Sequence, residues 1–176
     1  MGPTISDGSP DHHHPSPVER MLAGIDPDDV PTAGVDPIDS RGEAIAALSL
    51  VIGRPLRAET VVLTLDRWRR GVGMVAIDGT DDARSIEAIG QHLDTVIALA
   101  ESAQHALGLS RDPTEQVVVA TVDPTGSTTP GSDHLLDLSC AAAGVTLLDW
   151  LVLGPDTVTP MIDDRWPRHV GAAPPG

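Results

Sequence analysis

Phenylalanine and tyrosine are absent from this 176-residue chain, and Trp68, Trp150 and Trp166 are its only aromatic residues. Alanine, valine and leucine must therefore fill the core, and there is no row of rings on which single-stranded bases would stack. Cysteine is scarce as well. Cys140 stands alone in a run of alanines, which excludes an internal disulfide and a thiolate zinc cage and marks it as a small core residue. No stretch of eighteen apolar residues occurs, and residues 1–16 have neither a basic start nor an apolar segment. A membrane span and a secretory signal are thus not expected, and a cytoplasmic location is. Positive charge is the remaining scarcity: 11 basic residues face 26 acidic ones, for a net charge of −15. A field of that sign repels phosphate backbones and anionic membrane surfaces. Nucleic acid and membranes drop out as partners, and a protein remains as the expected one.

What is present supports one domain of ordinary size, with 40% apolar residues and a mean hydropathy of −0.01. Residues 1–38 are dense in Pro, Gly, Ser and Asp and read as a tail in which only residues 18–24 suggest a short helix. The domain is expected over 40–165, and 166–176 reads as a flexible C-terminal tail. Its first helix starts at Arg41 with Ser40 as N-cap and stops at Gly53 and Pro55. Two β-rich runs, 59–66 and 71–79, are joined by Arg67 to Arg70 at hairpin spacing. Ile86, Ile89, Leu93, Val96, Ala100, Ala103 and Leu107 recur at helical intervals and predict one long amphipathic helix over 85–107. A buried strand at 116–121, a helix over 133–143 with Leu135, Leu138 and Ala142 on one face, and a strand at 145–154 follow, with a short edge strand after it. That order implies an α/β fold: a mixed β-sheet with flanking helices.

Three stretches carry a family likeness. Thr121, Val122, Asp123, Pro124, Thr125 and Gly126 are followed by Pro130 and by Asp133 at a helix start. The strand Leu147, Leu148, Asp149, Trp150, Leu151, Val152, Leu153, Gly154 comes next, and a strand led by Glu59 precedes them all. Over about residues 58–154 the chain resembles the RadC-like branch of the JAB/MPN metallopeptidase superfamily, whose zinc motif reads His-x-His-Pro-Ser-Gly and whose fold is cytidine-deaminase-like. The resemblance implies that Thr121 and Asp123 stand where two zinc histidines belong, that Asp133 is near the third ligand, and that Glu59 is near the general base. In such a site two imidazoles and a carboxylate leave one position open, and the metal lowers the pKa of its bound water to roughly 7. Neither histidine is present here, so no cofactor is expected, zinc included.

Each of these residues also has a plain structural reading. Asp133, or Ser132 just before it, caps a helix, Asp123 before Pro124 starts a turn, Glu59 begins a strand and is exposed, and His134, which becomes a ligand candidate if the register shifts by one residue, faces solvent. His12, His13 and His14 form an imidazole cluster without fixed geometry; His92 and His105 are too far apart along their helix to share a metal. Trp150 reads as a large core or interface residue. Arg67, Trp68, Arg69 and Arg70 form the one basic patch, either a solvated hairpin tip or a binding surface for an acidic partner with Trp68 as its anchor. The readings that stay open are a non-catalytic JAB/MPN-type binding or scaffolding module, a metal-dependent peptidase- or isopeptidase-like hydrolase whose Glu59, Asp123, Asp133 and His134 hold a harder ion, and an unrelated α/β protein.

Overall fold

The computed structural model describes residues 14–80, 83–108, 112–127, 133–162 and 165–166. Its five strands are β1 (Glu59–Leu65), β2 (Gly71–Asp78), β3 (Gln116–Val122), β4 (Thr146–Leu153) and β5 (Val158–Pro160), arranged in one sheet in the order β2, β1, β3, β4, β5. The β3/β4 pair is parallel and the others are antiparallel, so the sheet is mixed as expected. Helices α1 (Pro17–Ala23), α2 (Arg41–Leu48), α3 (Ala83–Gln91), α4 (Leu93–Leu107) and α5 (Asp133–Ala142) flank it.

Both faces of the central strands are covered, which is why β1 and β3 read as nearly continuous apolar runs rather than alternating ones. On one face Val18 and Leu22 of α1 and Ala44 and Leu48 of α2 pack on Val61, Leu63, Val118, Ala120, Leu151 and Leu153. On the other, Ile86, Leu93, Val96 and Cys140 of α3, α4 and α5 pack on Val62, Val117, Val119 and Trp150. A bulge in β4 links the two patterns. Val117 pairs with Leu147 but Val118 pairs with Asp149, so Leu148 is the extra residue. Leu147 and Trp150 therefore share a face although they are three residues apart, and Asp149 turns toward the α2 side.

Several expectations are corrected. The stretch 14–38 is part of the folded unit, while residues 1–13 lie outside the described ones. Ser16 and Glu19 form a capping box at the start of α1, with Pro17 in the first turn. Val18 N donates to Pro155 O at 3.1 Å, and the buried Glu19 accepts from Leu56 N at 2.7 Å. Two apolar side chains one helical turn apart, plus these bonds, suffice to dock a segment whose composition alone suggests a tail. At the other end Trp166 is buried and its Nε1 donates to Asp149 Oδ2 at 2.8 Å, so the folded unit reaches at least that residue. Ser40 caps α2 as expected, but the helix ends at Leu48, before Gly53.

The single helix expected over 85–107 is two helices divided at His92. α3 packs on α5, where a Cβ on Gly90 would meet Ser139 Oγ at 2.8 Å, whereas α4 follows β2. The buried stripe of α4 continues from Ala100 to Gln104, leaving Ala103 and Leu107 exposed. α5 buries Leu136 and Cys140; Leu135 and Leu138 of the expected inner face point outward.

Candidate functional site

The positions that the family resemblance assigns to a zinc centre fall on β1, β3, the turn after β3 and the start of α5. Antiparallel pairing sets Glu59 opposite Val122 and Thr60 opposite Thr121. Since side chains alternate along a strand, Glu59 and Thr121 project from opposite faces of the sheet. Glu59 is wholly buried on the α2 side, not exposed as its plain reading has it. Its Oε1 accepts from Gly53 N at 2.9 Å, while Oε2 has no hydrogen bond and faces the Arg57 guanidinium at 3.6 Å. Thr121 lies on the α3–α5 side, where its Oγ1 accepts from the Trp150 indole Nε1 at 3.1 Å, both residues being fully buried.

Asp123 is buried and organises its own turn. Its Oδ1 accepts from Thr125 N at 2.9 Å and from Thr125 Oγ1 at 2.7 Å, the Asx-type geometry that its plain reading anticipates. Asp133 opens α5, its side chain lying outside the described residues together with Ser132, and His134 is exposed. Glu59 accepts from Gly53 N and Asp123 from Thr125, and no group of three or more His, Cys, Asp or Glu poised to hold a metal ion occurs among the described residues. Of the three clustered histidines, His12 and His13 lie outside the described residues, and His14 is exposed.

The hairpin tip is more ordered than a solvated loop. Asp66, which is buried, accepts from Trp68 N at 2.8 Å and Arg70 N at 2.9 Å through Oδ1, and Arg70 reaches its Oδ2 at 2.6 Å. That hydrogen bond raises the Arg70 pKa further above its ordinary value. The tight turn needs Arg69 at φ 62°, the left-handed region that few side chains adopt. Strand alternation, which would separate Trp68 from Arg67, is lost there: the Arg67 and Arg70 guanidinium carbons lie 3.7 and 4.7 Å from the Trp68 ring centroid. Arg69 pairs with Asp39 at 2.6 Å and Arg70 with Asp112 at 2.9 Å. Two of the three arginines are therefore paired with carboxylates of the chain. Trp68, 47% exposed, and Arg67 stacked on it remain as a surface feature.

Asp149, to which the resemblance assigns no role, is a structural hub: its Oδ2 accepts from Arg41 Nε at 2.6 Å and from the Trp166 indole, and Oδ1 is buried without a partner. Asp66 had a sequence signal, being an Asp immediately before a turn. Asp149 had none, because its partners lie 108 and 17 residues away. Burial in the apolar cluster on the α3–α5 side pushes the Cys140 thiol up to about 12, so it is no nucleophile at neutral pH.

Two clefts flank α3 and α4. One, of about 440 Å³, is an apolar groove between α3 and α5 lined by Gly90, Leu135, Leu138 and Ser139. The other, of about 480 Å³, runs along α4 beside Asp112 and Pro113 and has a mixed lining that includes Val72, Ala98 and Glu101. Neither is lined by Glu59, Thr121 or Asp123. No described helix is long and apolar enough to cross a membrane. Compared with known protein families and with curated proteins, the chain matches none.

Proposed function

We propose that this is a non-catalytic domain of the JAB/MPN type, RadC-like in its sequence, that serves as a protein-binding or scaffolding module. The observation that carries the reading is the bond from Trp150 Nε1 to Thr121 Oγ1. The position matched to a zinc histidine has become half of a buried structural pair, and a hydroxyl engaged with an indole is not an open metal ligand. The location of Glu59 on the opposite face supports the same conclusion, since a general base must lie within hydrogen-bond reach of the water it activates. For the alternative hydrolase the carboxylates would have to converge, and Glu59 and Asp123 are each engaged locally instead. With catalysis set aside, the exposed Trp68 with Arg67 across its face is the kind of amphipathic anchor that protein interfaces use.

The test is metal content. The purified chain with residues 12–14 deleted, so that the histidine run cannot capture metal, is expected to contain no stoichiometric zinc by elemental analysis. One zinc per chain, with hydrolysis of an isopeptide substrate, would overturn the reading.

A further inference from the structure

The sheet ends on two unequal edges. β5 is three residues long and finishes at Pro160, which has no N–H to offer, so that edge is short and blunted. β2 has eight residues and contains no proline, lysine or arginine. At its Gly71 end the outer side is occupied, since Gly34 N and Gln104 Nε2 both donate to Gly71 O, at 3.1 and 3.4 Å. Val72 falls at the register shift, and from Gly73 to Asp78 the strand pairs regularly with β1.

The phase of that pairing decides where the backbone groups point. Gly79 N donates to Ala58 O at 2.7 Å, one step beyond the pair Asp78 and Glu59. In an antiparallel ladder such bonded pairs recur at every second residue. Ile77, Val75 and Gly73 therefore bond to β1, and the N–H and C=O of Met74, Ala76 and Asp78 point away from the sheet. Among the described residues nothing bonds to these outward groups. Ala76 and Asp78 are exposed, and Met74 is half-buried.

A small pocket of about 110 Å³ adjoins this strand on the α2 face, and its walls include Ala33, Ile38, Ala47, Leu50, Gly73 and Met74. Asp36 is its one charged lining residue, and Leu50 is 65% exposed. On the other face Val75 and Ile77 are only partly buried against the α3–α5 cluster. An open row of backbone groups beside a side-chain pocket is what an added strand uses: the main chain supplies affinity, and alternate side chains supply specificity. A second copy of the chain fits poorly. Five-residue strands meeting about a twofold axis fall well short of the about 1,200–2,000 Å² that a stable interface buries. Each copy also carries a net charge of −15, which opposes self-association and favours a cationic segment.

We infer that β2 receives, as a sixth strand along Met74 to Asp78, an extended basic segment of a partner protein that sets an aliphatic side chain against the α2-side pocket. The inference rests on the reading of the domain as a binding module and gives that module a contact element of its own.

The probe is acetyl-Lys-Val-Leu-Val-Lys-amide, in which the leucine and lysines share one face of an extended chain and the valines share the other. In the full chain labelled with nitrogen-15, the amides of Met74, Ala76 and Asp78 should exchange with solvent faster than those of Val75 and Ile77. Saturating peptide should slow the first three by about tenfold or more. N-methylation at the leucine keeps every side chain but removes a main-chain donor, and should weaken binding by about tenfold or more. Replacing both lysines by glutamate should weaken it comparably. Protection of Met74, Ala76 and Asp78 in the free chain, by another of its segments or by a second copy, would overturn the inference. Equal binding of either altered peptide, or no binding of the first, would overturn it too. Zinc content is measured independently, so a failed titration removes the added strand and leaves the non-catalytic reading to its own test.

Discussion

Trp68 and Trp150 show how little residue type alone says about role. Both are large aromatics within β-hairpin or β-strand text, yet one is 47% exposed beside two guanidinium groups and the other is wholly buried against Thr121. Trp68→Ala removes two cation–π contacts, each worth about 0.5–1 kcal/mol at an exposed site, and creates no cavity. The melting temperature should therefore fall by only a few degrees, whereas truncation of a core aromatic costs roughly 3–5 kcal/mol. A thermal melt of Trp68→Ala checks this, and a drop of core size would return Trp68 to the interior. Asp123 as a turn residue and Cys140 as a core residue were legible from their immediate neighbours. The burial of Glu59 was not, because it depends on the loop carrying Gly53 and Arg57 folding back over the strand.

Among the elements, those defined by short-range pattern match their sequence signals closely: the hairpin of β1 and β2, the Ser40 cap of α2, and the β3 run bounded by turn residues. Elements whose limits depend on distant packing do not. The division at His92 reflects α3 and α4 following different neighbours, and the bulge at Leu148 rephases β4 in a way no alternation count reveals. The α1 arm is the largest difference, since compositional density of Pro, Gly and Asp outweighs two apolar residues in a local reading but not in a fold that offers them a sheet. Deleting residues 1–24 removes Val18 and Leu22 together with the Glu19 bond to Leu56, each side chain contributing about 1.5–3 kcal/mol when fully buried. The urea midpoint of the truncated chain should fall by an amount equivalent to roughly 3–5 kcal/mol. An unchanged midpoint would make the arm dispensable.

At the scale of the whole molecule, composition gives an uncommonly clean alkaline titration. The chain has neither lysine nor tyrosine, so Cys140 is the one side chain expected to titrate between pH 9 and 12. Its folded-state pKa is raised to about 12 from an ordinary value of 9.0, so the folded state keeps its proton where the unfolded chain has lost it. The stabilisation is complete below about pH 9 and is lost as pH rises toward 12. Chemical unfolding across that window should show stability falling with pH in the native chain and markedly less so in Cys140→Ala.

Closure of Thr121 by the buried Trp150 indole is open to a direct test by hydrogen exchange of the three tryptophan indole protons. Trp68 should exchange within the dead time, while Trp166, bonded to Asp149, and Trp150, bonded to Thr121, should exchange only through large-scale opening. Protection of the Trp150 Nε1 proton on the scale of the central β1 and β3 amides is the result the account predicts. Exchange of that proton as rapid as that of Trp68 would mean that Thr121 is free, and would contradict it.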